Sequence, residues 1–232
     1  MTLGWDCRAG GWRVCVNSVA AGKLSVVIPK VAVVWLMGSE CVVCGVPARG
    51  VCGACTDRLE PPVVPPLLAV ESATVLCSYE GVGADLIRAV KYGNRRQAIS
   101  PMVDALALSL PDRIDAVVAV PSNPVRVRER SYDLTATLAT RIAQRIDAPV
   151  ITPLVRVSPE SQTGKGRDER QHVEFCSSEA VPERVLLVDD VVTTGATAVA
   201  CAIALGLAGA RSTTFVALAA TPANTNNLAT SS

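Results

Sequence analysis

The run Val185–Thr197, reading VLLVDDVVTTGAT, constrains this chain more than any other stretch. Its first residues, Val185 to Val188, are uniformly apolar, the mark of a strand buried on both faces in a parallel sheet covered by helices. Two carboxylates, Asp189 and Asp190, follow at once, then small hydroxyl residues and Gly195, and then an Ala-rich helical pattern from Ala196 to Leu207. In open α/β sheets a ligand binds in the crevice just beyond the carboxyl end of such a strand. Thr193, Thr194, Gly195 and Thr197 bring hydroxyls and unencumbered backbone N–H groups to a helix start, where both the donors and the helix dipole favour a phosphate. Asp189 and Asp190 would repel that phosphate. They make sense if the ligand also carries vicinal hydroxyls, from which carboxylates accept hydrogen bonds, and a divalent cation that offsets the added negative charge. Capping accounts for one or two such polar residues but not for the ordered set, and the run is not a Walker loop, because no Gly-Lys-Ser/Thr follows the glycine.

A second constellation lies upstream. Cys41 and Cys44, then Cys52 and Cys55, form CVVCG and CGAC pairs seven residues apart. Each pair can place two thiolates on one tetrahedral ion, and zinc is the favoured metal. Redox chemistry and an iron–sulfur cluster are the competing readings. Redox is weaker, because neither pair reads as part of a strand–helix junction that would lower a thiol pKa. A closed site of four thiolates has no open position for substrate, so its role is folding or partner binding. Nine cysteines, an odd number with four in CxxC pairs, read as a reduced cytoplasmic protein instead of a secreted disulfide scaffold. Cys77 and Cys201 fall in apolar patterns and read as core residues.

Half of the 232 residues are hydrophobic, enough for one domain with a real core plus an appendage. The net charge is only +1, so nucleic-acid binding would need a local basic patch. One histidine, His172, rules against a multi-histidine metal site. The longest apolar run, Leu24 to Met37, is interrupted by Pro29 and Lys30; membrane insertion is not expected from so short a stretch, nor is there a clean signal-peptide pattern.

Residues 1–38 show no sustained period and read as an extension, and residues 39–60 form the cysteine knuckle. Pro61 to Pro66 is a stiff linker. From there to residue 220 strands and helices alternate. Strands are expected at Ala73–Tyr79, Ile114–Val120, Val150–Val155, Arg184–Val188 and Thr213–Ala219, and helices at Ala84–Tyr92, Ala98–Leu110, Tyr132–Ile146 and Ala196–Leu207. That alternation implies an α/β fold with a mainly parallel sheet flanked by helices. Ser158–His172 is polar and reads as mobile; with Lys165, Arg167 and Arg170 it could close over a ligand, and a solvated loop is the plainer reading. Residues 221–232, rich in Asn, Thr and Ser, read as a disordered tail.

Val185–Thr197 resembles, over all its thirteen positions, the signature of the type I phosphoribosyltransferases, which bind 5-phosphoribosyl-1-pyrophosphate (PRPP) with magnesium. That resemblance implies Asp189 and Asp190 on the ribose hydroxyls as the catalytic pair, with Val191, Thr193, Thr194, Gly195, Ala196 and Thr197 completing the PRPP site. A four-cysteine knuckle ahead of such a domain is similar to the ComF family, the amidophosphoribosyltransferase-like competence proteins. The likeness spans about residues 38 to 220 and draws also on Tyr79, Gly81, Lys91-Tyr92 with Gly93, Val120-Pro121, Gln162 and Arg170. Where that family has Arg-Gly-Phe-Asn-Gln this chain has Arg130-Ser131-Tyr132-Asp133-Leu134.

The resemblance implies a phosphoribosyltransferase of the glycosyltransferase class, with magnesium brought by PRPP, a structural zinc, and an acceptor left open along with homo-oligomerisation. Pro121, Ser122, Arg126, Arg128, Arg130 and Lys91 are the candidate pyrophosphate contacts, through backbone N–H groups and guanidinium forks. A solvated basic loop, and for Lys91 a helix C-terminus that welcomes any cation, are the plainer readings. The alternative function is a DNA-uptake factor that binds single-stranded DNA alongside the competence machinery and uses the fold as a scaffold. Aromatics make up only 3% of the chain, which supplies a base-stacking platform poorly.

Overall fold

The computed structural model describes residues 40–60, 62, 64, 67–93, 95–130, 132–157 and 174–222, together with the backbone of three short strands near the start. Those strands, β1 (Trp5–Asp6), β2 (Arg13–Cys15) and β3 (Ser25–Val27), pair antiparallel in that order. The cysteine segment follows, with one short helix, α1 (Gly53–Thr56). The rest of the elements are β4 (Ser72–Ser78), α2 (Gly81–Tyr92), α3 (Ile99–Ala107), β5 (Ala116–Ala119), α4 (Pro124–Arg130), α5 (Leu134–Ile146), β6 (Val150–Ile151), β7 (Leu154–Val157), β8 (Glu174–Ser177), β9 (Arg184–Val192), α6 (Ala196–Leu207) and β10 (Ser212–Ala220).

Five strands form one parallel sheet in the order β4-β10-β9-β5-β6. Its centre is the most apolar part of the chain. In β9, Val185 to Val188 are buried, and in β10 every residue from Thr213 to Ala220 is buried, as a sheet covered on both faces requires. On one face lies a core built from α2, α3 and α5, with Leu86, Ile87, Leu138 and Ile142 among its fully buried side chains. On the other, α6 packs Cys201 and Leu205 onto Phe215 and Leu187. Cys77 and Cys201 are both core residues, fully buried.

The strand order sets the position of the crevice. From β9 the chain crosses by α6 on one face to β10, whereas from β5 it crosses by α5 on the opposite face to β6. The order therefore reverses between β5 and β9, and a topological switch point opens a crevice beyond the carboxyl ends of these two strands. Register deepens it. The last pairing of β5 is Ala119 with Val188, while β10 continues alongside β9 as far as Ala220 opposite Val192. Among the described residues, Asp189 and Asp190 thus have no strand beside them on the β5 side.

The cysteine segment is fastened to the carboxyl end of β4 and the start of α2. Glu60 accepts a hydrogen bond from the Ser78 N–H, and Cys41, Cys55 and Val82 form a small buried cluster. Only a glycine fits at position 83 of α2, because a Cβ there would stand 2.1 Å from the Ser78 carbonyl oxygen. Among the described residues no helix is long and apolar enough to cross a membrane.

Several elements depart from the sequence expectation. Arg126 to Arg130 belong to a seven-residue helix, not a loop: Asn123 caps it by accepting the Val125 N–H at 2.9 Å, and Pro124 sits in its first turn, where a missing N–H costs nothing. The single strand expected over Val150–Val155 is two: β6 closes the parallel sheet, and β7 leaves it to pair antiparallel with β8, which the sequence did not suggest. Helix α5 begins after Asp133, whose carboxylate accepts the Ala136 N–H, instead of at Tyr132. The segment 158–172 and residues 223–232 lie outside the described residues.

Candidate functional site

At the end of β9 the chain presents two adjacent carboxylates in different surroundings. Asp189 Oδ1 accepts the backbone N–H of Asp190 at 2.7 Å. Burial, and then the neighbouring Asp190 charge, push the Asp189 carboxyl up to about 7, against the pull of that hydrogen bond and of Lys91. Asp190 instead meets a cation: its Oδ2 lies 2.9 Å from Lys91 Nζ, with only 17% and 11% of the two side chains exposed. Lys91 is the penultimate residue of α2, so this pair joins the far end of that helix to the end of β9.

Beyond Val192 the chain turns through exposed Thr193 and Thr194 into Gly195, whose φ of +77° is left-handed. Glycine takes that conformation without a Cβ penalty, and here it serves as the residue before α6. Leu67 lies over it, 2.3 Å from where a Cβ would stand. The Ala196 N–H finds the Thr194 hydroxyl at 3.4 Å. A twelve-residue helix thus starts with its first N–H groups facing the end of the sheet, a ready-made anion site.

Between these features lies a cavity of about 180 Å³. Its floor and near wall come from Asp189, Asp190, Val191 and Thr197, and the opposite wall from Val120, Pro121, Ser122 and Asn123 at the end of β5. Ser122 donates to Asp133 Oδ1 at 2.8 Å, which ties that wall to the start of α5. Lys91, Tyr132 and Arg156 complete the lining. The Tyr132 hydroxyl donates to the Val90 carbonyl, and the Arg96 guanidinium lies 4.4 Å over its ring. Two larger hollows, of about 410 and 290 Å³, lie at the opposite, amino end of the strands beside the Arg184–Asp115 ion pair. Neither holds a carboxylate pair next to a helix start.

Asp189, Asp190, Val191, Thr197, Lys91, Pro121 and Ser122 are therefore brought around one cavity, and Thr193 to Ala196 form the turn at its edge. Arg128 is exposed on α4 and is not among the lining residues. The side chains of Arg126 and Arg130, and the residues Gln162, Lys165, Arg167, Arg170 and His172, lie outside the described ones. Arg156 was not anticipated. It lines the cavity from β7, its guanidinium lies 5.7 Å from the Phe175 ring, and its Nε is buried with no hydrogen-bond partner among the described residues. The available signal was alternation: in LVRV the buried Leu154 and half-buried Arg156 share one side of the strand, and a charge on the inward side of a strand is rare without a partner.

The four cysteines gather apart from this cavity. Their sulfurs lie within 4.8 Å of one another, and Cys44 Sγ and Cys52 Sγ are 3.6 Å apart. Sulfurs on a tetrahedral zinc at ~2.3 Å stand about 3.8 Å apart, so the donor set and spacing fit that ion. Cys52 immediately precedes the four-residue α1, but no strand leads into it, and burial raises the Cys52 thiol. Burial raises the Cys41 thiol, but N–H groups of Cys44, Cys52 and Val43 outweigh it and bring it down to about 6. Burial and the surrounding thiols push Cys55 up to about 12.

The backbone is similar to that of three solved structures. One is a purine phosphoribosyltransferase from Pyrococcus horikoshii Ot3, with a TM-score of 0.40 and 21% identity over 53% of this chain and 73% of that one. The others are adenine phosphoribosyltransferases from Leishmania tarentolae (TM-score 0.39, 15% identity, 57% and 74%) and Leishmania donovani (0.41, 13%, 67% and 86%). All three are phosphoribosyltransferases. No protein-family model matches the chain, and no curated protein matches it.

Proposed function

We propose that this protein binds PRPP on a phosphoribosyltransferase-like scaffold of the ComF type and transfers the phosphoribosyl group to an acceptor. One observation carries the proposal: at a topological switch point, an Asp-Asp pair stands beside a left-handed glycine that opens a twelve-residue helix. A sugar phosphate needs both halves of that arrangement. Its 5'-phosphate takes the N–H groups and hydroxyls of Thr193 to Thr197, and its ribose hydroxyls donate to Asp189 and Asp190.

The pyrophosphate lies toward Pro121 and Ser122, and Arg156, whose Nε is buried with no hydrogen-bond partner among the described residues, lines the same cavity as a further donor. Transfer builds positive charge at the ribose C1 as pyrophosphate leaves, so no protein nucleophile is required. Magnesium, when it arrives with PRPP, supplies charge stabilisation to the leaving group. The chain's own part is to hold the sugar between the carboxylates and the helix start and to place negative charge near C1. Cys41, Cys44, Cys52 and Cys55 hold a structural zinc that secures the start of α2.

Calorimetric titration with PRPP and magnesium tests the proposal. Wild type binds, and Asp190→Asn loses at least about tenfold in affinity, the scale of one hydrogen bond to a charged group. Equal binding by the two proteins would contradict the assignment.

A further inference from the structure

We infer that Asp133 is a specificity-determining residue of the crevice: its carboxylate, on the wall assigned to the pyrophosphate, turns away an uncomplexed pyrophosphate group and admits one that carries a divalent ion. The inference rests on the proposed PRPP cradle and deepens it. Asp133 lines the same cavity as Pro121, Ser122 and Asn123. It is tied to that wall directly, because its Oδ1 accepts the Ser122 hydroxyl at 2.8 Å. The same oxygen accepts the Ala136 N–H at 3.1 Å as the cap of α5. Both bonds fall on Oδ1. Among the described residues Oδ2 has no hydrogen-bond partner, and Asp133 has no ion pair.

This placement works against a bare anion in three ways. The start of a thirteen-residue helix ordinarily welcomes a phosphate, but a carboxylate already caps α5 and answers its dipole. The Ser122 hydroxyl donates to Asp133 instead of to a ligand. The charge also reaches across the cavity, since Asp133 is among the groups that raise the Asp189 carboxyl. Two cations, Lys91 and Arg156, stand in the lining against three carboxylates, Asp133, Asp189 and Asp190, and Lys91 is already held by Asp190. A pyrophosphate adds more negative charge than Arg156 alone offsets. A divalent ion on the ligand changes the sign of the encounter. Magnesium takes hard oxygen donors of the carboxylate kind, and Asp133 Oδ2 is one without a competing partner. The ComF run that this stretch resembles has asparagine where this chain has Asp133. An amide there keeps the cap and the bond to Ser122 but carries no charge, so the discrimination belongs to the acid.

The test is a set of calorimetric titrations with PRPP and with ribose 5-phosphate, each in magnesium and in EDTA, on wild type, Asp133→Asn and Asp133→Ser. Both substitutions are neutral and both keep a side chain able to cap α5. Wild type is expected to bind PRPP about a hundredfold more weakly in EDTA than in magnesium, and the variants only about tenfold more weakly. The difference should come from tighter binding of metal-free PRPP by the variants, with affinity in magnesium changed by less than about threefold. Ribose 5-phosphate, which lacks the pyrophosphate, is expected to respond to magnesium alike in all three proteins. Thermal unfolding confirms that each variant folds; if one does not, the other decides. Variants that share the wild-type magnesium dependence for PRPP would overturn the role of Asp133 and leave the cradle standing. So would variants that shift PRPP and ribose 5-phosphate together, the mark of a structural effect, and so would wild-type PRPP binding unchanged by EDTA, which needs neither variant. Absence of binding of both ligands to wild type in both buffers would overturn the cradle, and this inference with it.

Discussion

One equivalent of zinc per chain is expected in the purified protein, and Cys55→Ser is expected to lose both the metal and several kcal/mol of stability. The thiols explain why the effect should be large. Four sulfurs are held within 4.8 Å of one another, and without a cation they do not all ionise: Cys41 is brought down to about 6, but burial and the neighbouring thiols hold Cys55 near 12. A bound dication reverses that opposition and takes all four as thiolates. Structural zinc sites of this kind are worth about 10–16 kcal/mol of apparent binding free energy in isolated peptides at neutral pH. Here part of it would be transmitted to the domain, because Cys41 and Cys55 share a buried cluster with Val82 of α2. Because thiols release protons on binding, affinity is expected to fall as pH falls. Elemental analysis and urea unfolding with and without a chelator check this. Less than about half an equivalent of zinc, or a chelator that leaves the unfolding midpoint unmoved, would contradict a structural site.

Asp189→Asn is expected to stabilise the ligand-free protein, and to do so only above the acidic range. In the folded chain the Asp189 carboxyl is pushed up to about 7, chiefly by burial and then by Asp190, while an unfolded Asp ionises near ~3.9. Below about pH 4 both states are protonated and the group contributes nothing. Between about pH 4 and 7 the folded state retains a proton that the unfolded state has released, so stability declines as pH rises. Above pH 7 the full difference is in place, a destabilisation of up to about 4 kcal/mol at ~1.4 kcal/mol per pKa unit. An asparagine can still accept the Asp190 N–H now accepted by Asp189 Oδ1, without the buried charge. Urea midpoints at pH 5 and pH 8 measure the effect: the variant should gain on wild type mainly at the higher pH. A variant less stable than wild type at pH 8 would show that the carboxylate is stabilised in the fold. The wild-type residue is then one whose cost to stability is accepted for what it offers a ligand.

The central unit was legible in sequence because local and tertiary requirements coincide there. The helix Ala196–Leu207 begins and ends where its pattern places it, and the apolar run before Asp189 is the buried heart of β9. Glycine at 195 and small residues through α6 carry their own reasons. The departures have two causes. VRVRER reads as a solvated basic loop, whereas the adjoining Asn123 cap and Pro124 open a helix there; elsewhere the deciding partner is distant in sequence. Val150–Val155 reads as one strand because nothing local reports that β7 leaves the main sheet to pair with β8.

The same holds for the candidate site. Asp189, Asp190 and the Thr193–Thr197 turn announce themselves by order and type. Lys91 was anticipated near the ligand, but its partner Asp190 lies far along the chain and is met only when α2 packs across the sheet. Arg156 gives only the faint signal of a charge on the inward side of LVRV, and nothing in the run around Tyr132 reports what it meets in space. Their positions at the cavity come from β7 folding over it and from the start of α5 reaching back to α2.

A crystal structure of the protein with PRPP bound tests the central claim most directly. The 5'-phosphate is expected against the N–H groups of Thr193 to Thr197, the ribose hydroxyls on Asp189 and Asp190, and Lys91 still paired with Asp190. PRPP found elsewhere on the chain, or a crevice left empty at saturating ligand, would contradict it.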